Sequence, residues 1–230
     1  MSASHDLKYP RTYHLPCSPG LQSDDKRLPS MAPFVGRRVI VTEKMDGEGT
    51  TLTPIKTYPR SPDGRSHSSR DWIKAYHARK AHDIPSGWRI SGEYLYARHS
   101  LAYTQALGNA LPSYFLGFGV WDPVNRLLGW DETLEMFDLL DIMPVPVLHD
   151  GPYEDGLIDR LAAAIDPQRQ EGFVVRVADP IPYPEGPGNA GRFFTSVAKY
   201  VRRDHVATDS HWMEGPVVPN ELKEGVSCVP

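Results

Sequence analysis

Long apolar runs are missing from this chain of 230 residues, and no stretch approaches the roughly 20 apolar residues needed to cross a bilayer. The first ten residues, MSASHDLKYP, lack the basic-then-apolar layout of a secretory signal, so a cytoplasmic protein is expected. Cysteine is scarce. Cys17 and Cys228 lie near opposite ends with no ligand cluster beside either, which argues against a disulfide framework or a zinc site. No segment repeats, so solenoids and propellers are excluded. Nor is there an overall excess of basic charge: the formal net charge is −4, which on its own points to no nucleic-acid partner.

What is present is ordinary for a soluble globular protein: 40% hydrophobic and 23% charged residues, on a chain long enough for a full core. The charge, however, is unevenly spread. Lys56, Arg60, Arg65, Arg70, Lys74, Arg79 and Lys80 face only Asp63 and Asp71 between positions 56 and 80, a local excess of +5. Arg192, Lys199, Arg202 and Arg203 face only Asp204 farther on. Such local fields hold phosphates on an acidic molecule, or form solvated faces.

Residues 1–36 are rich in Pro, Ser and Gly and read as an extended lead-in. GRRVIVTEKMDG is a β-branched strand closed by a turn, and TTLTPIKTYPR is expected as its partner strand. SRDWIKAYHARKAHDI places Trp72, Ile73, Ala75 and Tyr76 in helical register, with Ser69 as the expected cap. WRISGEYLYA and SYFLGFGVWD read as strands. DETLEMFDLLDI is a helix, with Leu134, Phe137, Leu139 and Leu140 setting its period and acids in its first turn. VPVLHDG, EGFVVRV and RFFTSVAKYVR read as further strands, and GLIDRLAAAI as a helix. The pattern predicts one α+β domain of antiparallel sheets with flanking helices.

The chemically able residues sit at comparable places on these elements. Lys44 and Asp46 follow one strand, Glu93 interrupts a second, Glu171 opens a third and Lys199 falls within a fourth. Alternation along strands gives Glu171, Phe173 and Val175 one shared face, as it does Val197 and Lys199 on their own strand. Several strands thus aim acids and lysines toward one groove.

Taken in order, these segments resemble the motifs of the covalent nucleotidyltransferases, the superfamily of DNA ligases, RNA ligases and mRNA capping enzymes. EKMDGEG resembles the K-x-D-G motif, YPRS the short arginine motif, and SGEYLYARHSLAY the third motif as RNA ligases carry it. FLGFGVWD, EGFVVR and SVAKYVR are similar to the motifs that follow. The nearest likeness is to the ATP-dependent RNA ligases related to the phage enzyme that seals nicks in duplex RNA. It implies a nucleotidyltransferase (adenylation) domain over 37–207, preceded by a lead-in over 1–36 and followed by a tail over 208–230.

The resemblance also assigns roles. Lys44 would attack the α-phosphorus of ATP and form a lysyl–AMP. Glu171, with Asp46, would stand near a Mg2+ or Mn2+ ion, and Asp46 would alternatively orient the lysine. Glu93 would accept a hydrogen bond from the ribose hydroxyls. Phe118 would stack on adenine, with Trp121 as the alternative, and Glu43 would contact the adenine amine. Arg60 and Lys199 would hold phosphates. The implied partner is a nucleic acid with 5′-phosphate and 3′-hydroxyl ends, RNA before DNA, with no membrane involved.

Three departures from the family pattern stand out. Gly49 replaces the asparagine usual two residues beyond the motif glycine, leaving Glu48 or Thr50 to supply its contact. Val201 stands where a second lysine is usual, on the face of Lys199. Only 27 residues follow Arg203, too few for a C-terminal OB domain, so a homodimer or partner protein would have to replace it. These departures keep three readings open: a minimal RNA ligase, a 5′-end adenylyltransferase or DNA/mixed-end ligase, and a non-catalytic nucleotide- or RNA-binding module.

Overall fold

The computed structural model describes residues 7–21, 23–60, 68–185, 189–203 and 216–229. Arg65, His67, His205, His211, Trp212 and Met213 lie outside them. The strand stretches assemble into two sheets. One runs in the order β1 (Tyr13–His14), β11 (Val197–Val201), β9 (Gly172–Val177), β2 (Arg38–Glu43), β8 (Val147–Pro152). The other runs β10 (Ile181–Pro182), β7 (Arg126–Leu127), β6 (Phe115–Trp121), β5 (Arg89–Tyr94), β3 (Glu48–Leu52), β4 (Thr57–Pro59). The pairings are antiparallel except that β1 runs parallel to β11. No helix among the described residues is long and apolar enough to cross a membrane.

Each sheet has one dry face. Leu52, Ile90 and Phe115 pack with Ile73 and Tyr76 of α1 (Asp71–Lys80) and Phe137 of α2 (Trp130–Leu139). Val39, Val41, Phe173, Val175 and Val177 pack with Phe34 and with Leu157 and Ile158 of α3 (Leu157–Ala163). Each such fully buried side chain contributes about 1.5–3 kcal/mol. The opposite faces of the two sheets turn toward each other.

The expected elements are present, with four differences. TTLTPIKTYPR is not the partner of the strand before it: β3 pairs with β4 and β5, while β2 lies between β8 and β9. The reason is the segment Lys44–Gly47, which crosses between sheets instead of closing a hairpin. Lys44 donates its backbone N–H to Gly172 of one sheet, and Gly47 donates to the Glu93 carboxylate of the other. RFFTSVAKYVR is not one strand: α4 (Asn189–Phe194) takes its first residues, burying Phe193, and β11 starts at Val197. Ser69 does not cap α1. It sits in a short 3-10 turn, Ser68–Arg70, where its carbonyl accepts the Tyr94 hydroxyl. Leu139 keeps the helical period of α2 but stands exposed, while Phe137 and Leu140 are buried.

Candidate active site

Between the facing sheets lies a cavity of about 400 Å³, the size of a small-molecule site. The first sheet contributes Thr42, Lys44, Val174, Arg176 and Lys199; the second contributes Gly49, Thr51, Ser91, Glu93 and Phe118. Residues from the lead-in, including Tyr9, His14 and Asp25, close another side. Strand alternation explains most of this set. Ile90 and Tyr94 point to the core from β5, so Ser91 and Glu93 face the cavity.

Lys44 is the first residue past β2, and its ammonium reaches Glu171 Oε2 at 2.6 Å. Glu171 is nearly covered, with its side chain 8% exposed. Burial alone pushes the Lys44 pKa down, but Glu171, Glu93 and Asp46 outweigh it, and the net shift is upward. Lys44 therefore rests as an ammonium ion. Glu93 is pushed the other way: burial raises its carboxyl pKa to about 8, against the opposing pull of Lys44. Near neutral pH it carries a proton much of the time, so it can donate as well as accept a hydrogen bond.

Glu171 breaks the alternation expected of it. Phe173 and Val175 lie in the core, yet Glu171 opens into the cavity. Gly172 permits this. A Cβ there would collide with the backbone of β11, lying 3.0 Å from the Tyr200 carbonyl carbon and 3.1 Å from Val201 Cα. Only glycine lets the two strands approach so closely where β9 begins. Gly47 is equally confined, since a Cβ would stand 2.5 Å from Tyr94 O and 3.2 Å from Glu93 Cγ. The two glycines hold the lysine-bearing crossover and the glutamate-bearing strand entry against their neighbours.

Lys199 donates to Asp25 Oδ1 at 3.3 Å. Burial lowers its pKa and nearby Lys44 lowers it further, while Asp25 raises it; the net shift is downward. Arg176 is buried beneath the cavity. Its Nη2 bonds Leu128 O at 2.6 Å, its guanidinium lies 5.6 Å from the Trp130 ring centroid, and Nη1 is buried without a partner. Burial lowers its pKa to about 10, which leaves it charged at neutral pH. A buried charged group with one donor unspent is suited to an acceptor brought in from outside. Phe118 is half-buried and lines the cavity; Tyr9 meets it edge-on at 5.0 Å. Trp121 is buried in the core, its Nε1 bound to Ser91 Oγ.

Lys44, Glu43, Arg60, Glu93, Phe118, Glu171 and Lys199 are thus brought to one cavity. Asp46 is turned aside. It does not line the cavity; its backbone N–H donates to the Tyr103 hydroxyl, and its Oδ2 accepts the Leu101 N–H at 2.6 Å. Asn220 braces that loop, accepting the Tyr103 N–H and donating to Leu95 O. At Gly49 the space is filled from the side: the Arg60 side chain packs over it, while Glu48 is ion-paired with Arg70. Val201 is buried on the face of Lys199, as alternation requires.

Sequence reasoning overlooked Asp25, Tyr103 and Asn220, whose neighbours are distant in the chain, and assigned no role to Arg176. One signal was readable: an arginine within the apolar run FVVRV is a charge where burial is expected. Among the described residues no three His, Cys, Asp or Glu side chains cluster as a ready-made metal cage. The arrangement offers an amine beside carboxylates, cations for phosphate, and an aromatic wall.

Comparison with known proteins bears on this arrangement. The RNA ligase family model matches residues 37–201. An archaeal ATP-dependent RNA ligase shares the fold with a TM-score of 0.55 at 16% identity, over 85% of this chain and 48% of that one. An RNA ligase of Naegleria gruberi, solved with ATP and Mn, aligns with a TM-score of 0.51 at 15% identity, over 76% of this chain and 53% of that one. The chain spans about half the length of these solved proteins. A search of curated proteins found no match. The family model spans both halves of the cavity, from β2 through the lysine of β11, and the chain belongs to the RNA ligase family.

Proposed function

We propose that this protein is an ATP-dependent RNA ligase that carries AMP on Lys44. The observation that supports it most is the Lys44–Glu171 ion pair, sharing one cavity with Glu93 and Lys199. In the first step Lys44 Nζ gives up a proton, for which Glu171 is the nearest carboxylate at 2.6 Å, and attacks the α-phosphorus of ATP. The N–P bond forms and pyrophosphate leaves. In the second, an oxygen of the RNA 5′-phosphate attacks that phosphorus, breaks the N–P bond and frees the amine. In the third, a 3′-hydroxyl attacks the activated 5′-phosphorus and AMP departs. Positioning and fixed charge supply most of the catalysis in such transfers.

The residues fit a nucleotide. Phe118 offers a face for adenine and Glu43 a carboxylate for its amine. Glu93 bonds the ribose hydroxyls, and its raised pKa equips it for either direction of bonding. Arg60 and Lys199 face the phosphates, and the unpartnered Nη1 of Arg176 awaits an acceptor. The donor set also fits a hard divalent cation that takes one or two carboxylates and completes its shell with phosphate oxygens and water. Glu171, a carboxylate that lines the cavity, would hold Mg2+ or Mn2+, which would offset the carboxylates that now keep Lys44 protonated. Asp46, by contrast, is committed through Oδ2 to the Leu101 N–H outside the cavity lining.

Incubation with magnesium and α-labelled ATP tests the reading. A label that survives denaturation, is released by acid and is absent from Lys44→Ala supports the lysyl–AMP. Absence of label with either metal, and with GTP, would leave a nucleotide-binding module instead. Addition of 5′-phosphorylated RNA or DNA then separates end adenylylation from sealing and RNA from DNA.

A further inference from the structure

The lead-in of this protein is built into the cavity wall, and one of its acids meets the cavity's second lysine. β1 lies parallel to β11, with His14 opposite Lys199. From this strand a continuous relay runs back to the lysine. The Val201 N–H donates to Ser18 Oγ at 2.9 Å, and Ser18 Oγ lies 2.8 Å from His14 Nδ1. His14 Nε2 lies 2.9 Å from Asp25 Oδ2, while Asp25 Oδ1 accepts from Lys199 at 3.3 Å. His14 is fully buried and the Asp25 side chain is 9% exposed. The Nε2 side of the imidazole faces the Asp25 carboxylate, and Ser18 Oγ, which accepts the Val201 N–H, lies within hydrogen-bond reach of both His14 Nδ1 and, at 3.3 Å, Val201 O.

We propose that Asp25, held in place by His14 and Ser18, is a positioning residue that aims the Lys199 ammonium into the cavity between the sheets. The inference rests on the ligase reading of that cavity. A lysine has a flexible four-carbon stem and a point charge, so its direction is set by what its ammonium touches. Lys199 lies close enough to Lys44 and Glu171 on the same side of the cavity to feel both charges, and Asp25 is its hydrogen-bonded carboxylate from the lead-in. The relay fixes that carboxylate at its other oxygen. A segment that reads as a loose leader thus supplies the support for a phosphate-binding cation.

A double-mutant cycle tests it. Wild type, Asp25→Asn, Lys199→Met and the double variant are compared for the single-turnover rate of label transfer from α-labelled ATP. ATP affinity, which needs no turnover, is measured in the same four, and melting confirms that each folds. Asp25→Asn is expected to slow labelling about ten- to a hundredfold, as for one charge-assisted hydrogen bond, and to weaken ATP binding. In the Lys199→Met background the same change is expected to have no further effect on either quantity. A purely structural role would leave the two effects multiplicative, and that result, or a wild-type rate for Asp25→Asn, overturns the proposal. Should Asp25→Asn not fold, Asp25→Ser, which removes the charge and retains a partner for His14, runs the same cycle. Failure of the wild type to label at all sinks the ligase reading instead.

Discussion

Two glycines two residues apart in EKMDGEG should respond in opposite ways to one added methyl group. At Gly47 a Cβ would lie 2.5 Å from the Tyr94 carbonyl oxygen and 2.8 Å from Leu95 Cδ2, where ordinary contact begins at 3.4 Å. The Tyr94 atom belongs to the backbone, so the crossover and β5 must part by about 0.9 Å. Overpacking of this kind costs about 1–3 kcal/mol, which lowers the melting temperature by about 2–12 °C for a chain of this size. The same displacement separates Lys44 from Glu93, and misplacement by about 1 Å slows a chemical step about a hundredfold. At Gly49 the nearest atom is Arg60 Cβ at 3.6 Å, an ordinary contact, so alanine fits without displacement. Gly49→Ala should leave labelling within a few-fold of wild type and raise stability by about 0.4–1 kcal/mol, because the unfolded chain loses freedom. Thermal melting and single-turnover labelling of both variants decide the matter. Wild-type labelling by Gly47→Ala, or equal damage from Gly49→Ala, would refute the steric reasoning.

Three further outcomes are expected. Burial and the nearby Lys199 hold the His14 imidazole below its ordinary pKa, so the fold favours its neutral form. That contribution is complete above the unfolded value near 6.5 and is lost as pH falls through the folded one; melting from pH 7.5 to 5 should show the loss, and His14→Asn should flatten it. Glu93→Gln removes a carboxyl whose ionisation is disfavoured in the fold up to about pH 8. The variant should therefore melt higher than wild type at pH 8 while labelling poorly; an unchanged or lower melting temperature contradicts this. Asn220→Ala strips partners from the Tyr103 N–H and Leu95 O, and should cost about 2–4 kcal/mol in denaturant unfolding. It should also reduce labelling, since Tyr103 holds the backbone of Asp46.

Lys44, Glu93, Glu171 and Lys199 were legible because each belongs to a short local string, and because strand alternation fixes where a side chain points. The same rule misplaced Glu171, since a close approach at Gly172 cannot be seen in a one-dimensional period. Strand adjacency was also hidden. A crossover and a hairpin look alike when both are polar and glycine-rich, and the difference lies in which distant carbonyl receives the Lys44 N–H. Asp25, Tyr103 and Asn220 gave no signal, because polar residues in proline-rich or aperiodic stretches are ordinarily solvated. Their burial depends on partners far away in the chain, such as Leu95 for Asn220. Phe118 stood first with Trp121 as its alternative, and the sheet puts Phe118 on the cavity face and Trp121 in the core.

The pairing of β1 with β11 bears on the order in which the molecule assembles. Ser18 and Val201 are hydrogen-bonded at a separation of 183 positions, so this contact closes nearly the whole chain into a loop. Closing a loop of that length costs about 4–5 kcal/mol in chain entropy before any contact compensates it. Contacts of such long range form late and slow folding. A nascent chain that has emerged only as far as β9 already carries Lys44 and Glu171, but not the strand that brings Lys199 and seats the lead-in. The cavity wall is then incomplete, and nucleotide affinity acquired during refolding becomes a clock for the last strand to dock.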